Sequence, residues 1–125
     1  MIIGIGIDLA EVQRIEDSLR KFGSKFTDRI FTGEEKTYCE KCKRPVEHYA
    51  GRFAAKEAAM KVLRTGWAGG IGWNDVCVSV GNEGNPEILF KGTALKRAKE
   101  LGINKMHISI THSYKYAVAV AVAED

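Results

Sequence analysis

The stretch from Pro45 to about Arg64 limits what this chain can fold into more than any other. Its centre, Gly51-Arg52-Phe53-Ala54-Ala55-Lys56-Glu57-Ala58-Ala59-Met60-Lys61, is rich in strong helix formers, and Pro45 suits a first helical turn. The spacing therefore predicts one long central helix. Within it Glu57 follows Phe53 by four residues and sits at the edge of an apolar stripe. Lys61 follows Glu57 by four, so the two share a face. Arg52 and Lys56 form a second, basic i,i+4 pair beside it. A carboxylate flanked by three cations is what a metal-bound polyphosphate needs, the acid for a hard cation and the bases for phosphate oxygens. On these residues alone, a solvated helix face with an ordinary Glu–Lys pair fits as well.

The flanking pattern is mixed. Ile2 to Ile7 alternates Ile with Gly and reads as a strand with close backbone approach on one face, ended by Asp8. As a strand-end carboxylate, Asp8 suits either an active site or a helix cap, and position alone favours the cap. Ala10 to Phe22 has a helical period closed by Gly23, with Arg14, Ser18 and Lys21 on its other face. Phe26 to Phe31 is a short turn or helix, and Thr32 caps a helix running to about Lys43. A flexible glycine loop, 66–72, has aromatic ends. Asp75 to Val80 and Glu87 to Phe90 form one hairpin, Thr93 to Leu101 a short helix, and Met106 to Thr111 with Tyr116 to Val122 a second hairpin. The order β-α-α-α-β-β-α-β-β predicts an α+β fold, an antiparallel sheet packed against the long central helix. The last strand alternates Ala with Val, so it faces either another chain or an ordinary tight core.

Composition narrows the function classes. At 125 residues the chain reads as a single domain, and 45% hydrophobic and 28% charged residues are ordinary for a globular protein. A net charge of +3 is too small to argue for nucleic acid, although the local clusters Arg14, Arg20, Lys21, Lys25 and Lys41, Lys43, Arg44 suit an acidic partner or phosphorylated ligand. No run could span a bilayer and no basic-then-apolar leader is present, so a cytoplasmic protein with no membrane role is expected. Cys39 and Cys42 lack a second pair at zinc spacing and fall within a helix, and Cys77 reads as core. Gly4 and Gly6 make no dinucleotide fingerprint, because Leu9 stands where a third glycine is needed. The glycine loop lacks a P-loop ending, and no hydrolase triad is visible. His112, at a strand end, could donate to phosphate or close the turn; His48 and His107 read as structural.

Three separated motifs, Gly4-Ile5-Gly6-Ile7-Asp8, Ala50-Gly51-Arg52-Phe53-Ala54-Ala55-Lys56-Glu57-Ala58 and Ile108-Ser109-Ile110-Thr111-His112-Ser113, stand in one order along the chain. With the Asn82-Glu83-Gly84-Asn85-Pro86 turn between them, the chain closely resembles the holo-[acyl-carrier-protein] synthases, the short bacterial class of 4′-phosphopantetheinyl transferases. The resemblance implies that fold over residues 1–125, and transfer of the phosphopantetheine arm of coenzyme A to a serine of apo acyl carrier protein, releasing adenosine 3′,5′-bisphosphate. It implies Asp8 and Glu57 as ligands of Mg²⁺, with water where longer relatives place a further acid and Ala10 stands here. Glu57, directly or through a metal-held water, would be the candidate base, and Lys61 would stabilise or protonate the leaving oxygen.

By the same resemblance Arg44, Arg52 and His112 would grip the nucleotide, chiefly its 3′-phosphate, with Lys56 a weaker candidate. The loop 66–72 would lie along the pantetheine arm. Arg14, Ser18 and Lys21 would dock the acidic carrier protein, with Arg20 and Lys25 extending that surface. A homotrimer with sites between subunits is implied too, the Ala/Val strand contributing to its core. The alternatives are a Mg²⁺-dependent hydrolase of nucleotide pyrophosphates using the same acids, and a small basic binding module without enzymatic activity.

Overall fold

Ten elements make up the computed structural model, which describes residues 1–125 apart from the side chain of Ala68. In order they are β1 (Ile2–Glu11), α1 (Val12–Phe22), α2 (Ser24–Ile30), α3 (Gly33–Lys41), α4 (Pro45–Leu63), β2 (Val76–Val80), β3 (Pro86–Phe90), α5 (Gly92–Glu100), β4 (Lys105–His112) and β5 (Tyr116–Glu124), with 3₁₀ turns at Gly66–Gly69 and Trp73–Asp75. The α+β class and the central helix are as the spacing predicts. Four helices rather than three precede the first hairpin, because the short apolar segment after Gly23 completes two helical turns.

One sheet has the order β1-β5-β4, all antiparallel, and a second pairs β2 with β3. Helix α4 lies across all three strands of the first sheet. It is buried almost all round, which explains why its sequence has no clean polar face. The contact is made of small residues. Ala117, Ala119, Ala121 and Ala123 of β5 are fully buried against it, as are Ala54, Ala55, Ala58 and Ala59 of α4 itself. A Cβ on Gly6 would lie 2.0 Å from the carbonyl oxygen of Ala58, whereas one on Gly4 would meet Val62 at an ordinary 3.5 Å. Gly6 is thus where helix and strand come closest. The tight-core reading of β5 holds for its alanines, while its valines point outward, half-buried.

Strand β1 continues three residues past Asp8, pairing with β5 as far as Glu11 opposite Tyr116. Asp8 therefore lies within the strand, opposite Ala119, and caps no helix; the α1 N-cap is Glu11, without a side-chain bond. The ladder bonds to β5 satisfy the backbone that a turn would otherwise have freed. Thr32 does cap α3, accepting from the Glu35 amide at 3.2 Å while the Glu35 carboxylate accepts from the Thr32 amide at 2.8 Å.

That same Glu35 is fully buried and pairs at 2.6 Å with the equally buried ammonium of Lys56. Its second oxygen accepts from the Val78 amide at 2.6 Å, so one carboxylate ties α3 to β2 and α4. Burial pulls Lys56 below its ordinary value, and the Glu35 charge opposes that.

Replacing Gly6 by Ala forces an overlap with backbone and should cost about 1–3 kcal/mol or more, while Gly4→Ala should be near neutral. Urea unfolding midpoints of the two variants check this. Equal midpoints would mean the helix does not rest on β1 at Gly6.

Candidate active site

The inward face of β1 presents Gly4, Gly6, Asp8 and Ala10 to α4, and the missing side chain at Gly6 lets the helix drop onto the strand. One helical turn beyond that contact, Lys61 reaches back. Its ammonium donates to the Ile7 carbonyl at 2.7 Å and lies 3.3 Å from the Asp8 carboxylate. Glu57 is close enough that the Asp8 charge raises its proton affinity. Burial is the larger cause of that rise; the Trp67 indole N–H, 3.3 Å from Oε1, and Lys61 pull the other way. Asp8 is likewise raised by burial and drawn down by Lys61. Two part-buried acids with one lysine leave unbalanced negative charge.

Among the described residues no group of three or more His, Cys, Asp or Glu side chains could hold a metal. Two acids from separate elements still fit one kind of ion. Mg²⁺ keeps several waters and binds through one or two carboxylates plus substrate phosphates, so this pair suits it where a closed protein cage is absent.

A second cluster forms at the other end of α4. Glu47, in its first turn, binds both the Arg44 guanidinium and His112 Nδ1, the latter at 2.9 Å. The His112 bond, with Arg44 nearby, holds Glu47 below the usual carboxylate range. Arg44 also lies 3.9 Å from the Tyr114 ring centre. The His112 ring meets His48 edge-on at 4.7 Å, His48 meets Tyr38 at 5.8 Å, and the Arg52 guanidinium sits 3.9 Å over Tyr38. Arg52 Nε and His48 Nδ1 are buried with no hydrogen-bond partner among the described residues. Arg44, Arg52 and His112 are thus one chain of cations and rings, suited to a phosphorylated nucleotide.

Lys56 does not join them. Its ammonium is at 0% exposure, bonded to Glu35, the Ile30 carbonyl and the Trp73 carbonyl, and cannot touch a ligand. The reason is position along the helix: Lys56 shares the Arg52 side of α4 but sits one turn further on, where α2, α3 and the 73–75 turn enclose it.

The α1 surface is divided. Arg14 and Ser18 line a groove of about 210 Å³ floored by Ile15, Phe26 and Phe53, whereas Lys21 lies outside it, its ammonium 5.3 Å from the Phe22 ring centre. Arg20 is held by Glu16 at 2.7 Å. The Cys39 thiol, buried in α3, is pushed up to about 12 and is no nucleophile at neutral pH.

Several contributors escaped the sequence reading. Trp67 and Trp73 stack at 3.9 Å between ring centres, and Trp73 stacks on Phe53 at 5.2 Å, folding the glycine loop back over Glu57. The sequence showed only that the loop has aromatic ends. Glu47 is three residues from Arg44, a readable pairing, but its bond to His112 spans 65 residues and has no local signal.

The sequence profile of the 4′-phosphopantetheinyl transferase superfamily matches residues 4–121. The chain is 46% identical over 125 residues to the holo-[acyl-carrier-protein] synthase of Koribacter versatilis, covering 100% of both chains. The fold superposes on the crystal structure of holo-[acyl-carrier-protein] synthase from Neisseria meningitidis with a TM-score of 0.89 at 36% identity, covering 100% of each. It superposes on the Bacillus anthracis holo-(acyl-carrier-protein) synthase, solved in complex with CoA (3′,5′-ADP), with a TM-score of 0.81 at 37% identity, covering 100% of this chain and 98% of that one. By profile, full-length identity and fold together, the chain belongs to the 4′-phosphopantetheinyl transferase superfamily.

Proposed function

We propose that residues 1–125 form one transferase domain that moves 4′-phosphopantetheine from coenzyme A to a serine of apo acyl carrier protein, yielding holo carrier protein and adenosine 3′,5′-bisphosphate. The observation that carries this reading is the Asp8, Glu57 and Lys61 cluster, assembled by the close approach at Gly6. Asp8 and Glu57 would hold Mg²⁺, which when bound neutralises the pyrophosphate and its leaving group. The chain's own residues do the rest. The serine oxygen bonds to the β-phosphorus as the bond from that phosphorus to the bisphosphate oxygen breaks. Glu57 takes the serine proton, and the Lys61 ammonium faces the leaving oxygen. Arg44, Arg52 and His112 grip the nucleotide, and Arg14, Ser18 and Lys21 face the acidic carrier. Such a product serves fatty-acid synthesis, and the proposed setting is the cytoplasm, with neither nucleic acid nor membrane as partner; among the described residues no helix is long and apolar enough to cross a membrane.

The reading includes a homotrimer. Two observations support it. Ile5, Ile7 and Leu9 of β1 point away from α4 and are 64%, 58% and 57% exposed, beside the outward valines Val118, Val120 and Val122 of β5. A stripe of this kind marks an interface. Arg44 and His112, moreover, gather at the first turn of α4 around Glu47, ten residues or about 15 Å along the axis from Glu57. A neighbouring copy would place one chain's cations against another's acids.

Intact-mass spectrometry of apo acyl carrier protein incubated with the chain, coenzyme A and Mg²⁺ tests the activity. One added phosphopantetheinyl group, absent with EDTA, is expected; coenzyme A cleaved with the carrier unmodified would indicate hydrolysis instead. Glu57→Gln should slow transfer by about 10²–10⁴-fold. It should also flatten the stability profile in metal-free buffer. Because folding raises the Glu57 value above 4.5, the folded state binds more protons, and the parent loses stability as pH rises through that window. A parent no steeper than Glu57→Gln between pH 4 and 7 would contradict the raised value. Light scattering should give three times the 13.8 kDa chain mass for the parent, and Ile7→Glu should reduce it to one. An unchanged mass for that variant would remove β1 from the interface.

A further inference from the structure

We propose that Lys56 is a positioning residue for Glu57, acting through the two tryptophans of the glycine loop; this rests on Glu57 taking the serine proton, as argued above. Lys56 and Glu57 are neighbours on α4 and point about 100° apart, one into the protein and one toward Asp8. The loop joins them by a second route. The Lys56 ammonium uses all three of its donors: Glu35 Oε1 at 2.6 Å, the Ile30 carbonyl at 2.7 Å and the Trp73 carbonyl at 3.1 Å. The first two bind helices that are already fixed. The third holds the end of the loop. From there the Trp73 ring stacks on Trp67 at 3.9 Å with 28° between planes, and the Trp67 indole donates to Glu57 Oε1 at 3.3 Å.

The loop needs such an anchor. Gly66 and Gly70 both have positive φ, 58° and 81°, and glycines there leave the chain many alternatives. Its last turn is closed by the Gly72 amide on Asp75 Oδ2 at 3.1 Å, but nothing in that bond reaches toward Glu57. Burying an ammonium is costly, and apolar replacement of a buried ion pair is often neutral or stabilising. Holding the core together is therefore a weak reason for a lysine at position 56, whereas fixing the Trp73 carbonyl gives it a task a methionine lacks.

The test exploits composition, since Trp67 and Trp73 are the only tryptophans in the chain. Stacked so closely, they should give an exciton couplet in far-ultraviolet circular dichroism. The variant K56M/E35Q avoids an unpaired buried charge and keeps an oxygen for one of the two amides, Thr32 or Val78, that Glu35 serves with separate oxygens. It should lose the couplet while retaining its helical signal, and lower kcat about 10- to 100-fold with KM for coenzyme A little changed. W67F should lower kcat similarly, and adding K56M/E35Q to W67F should cost nothing more, since both remove one linkage. If K56M/E35Q does not fold, K56Q/E35Q keeps a hydrogen-bonded core pair and serves the same comparison. A retained couplet, or losses that add in the combined variant, would overturn the proposal. If E57Q transferred at the parent rate, the role of Glu57 would fall and the catalytic half of the proposal with it, whatever the couplet did.

Discussion

Everything distinctive in this molecule depends on how closely α4 approaches β1. A helix normally rests on a sheet at the distance that close-packed side chains of ordinary size impose. Here Gly6 faces the Ala58 carbonyl with no room for a Cβ, and alanines line both sides of the contact along β5 and α4. The gain is positional. With the helix lowered onto the strand, Lys61 can reach the Ile7 carbonyl, and Glu57 comes within electrostatic range of Asp8. A bulkier seam would separate the acids and leave two unrelated surface carboxylates.

Buried charge organises the other side of the same helix. Glu35 and Lys56 join α2, α3, α4, β2 and the 73–75 turn through bonds that leave neither group unpaired. The consequence is a helix with two chemical sides: a closed ion pair within, and an open, under-neutralised acid pair at its edge. The closed pair fixes the surrounding helices and the end of the glycine loop. The open pair retains unmet charge, the usual mark of a site that awaits a ligand.

The fold was legible where local chemistry decided it. Pro45 and the helix formers after it placed α4, Thr32 announced the cap of α3, and strict alternation gave β5. What stayed hidden was nonlocal. Asp8 read as a strand end because Leu9 and Ala10 carry no signal of the ladder they form with Val118 and Ala117. Lys56 and Arg52 look alike in the sequence and both are buried; only the packing sets one against Glu35, Ile30 and Trp73 and the other over Tyr38. The carboxylate pair and its cations were found by motif, whereas Glu47 and the tryptophans were not, since their partners lie ten to 65 residues away.

We propose that the acid cluster of one copy and the cation cluster of another serve a single reaction. Mixing two variants tests it most directly: Glu57→Gln, impaired only in the acid half, and Arg44→Ala/His112→Ala, impaired only in the cation half, unfolded and refolded together. Each alone should be nearly inactive. Together they should recover up to about a quarter of the parent transfer rate, because random assembly of head-to-tail interfaces pairs two intact halves that often. No recovery, from a mixture shown to contain hybrid assemblies, would contradict a site shared between copies.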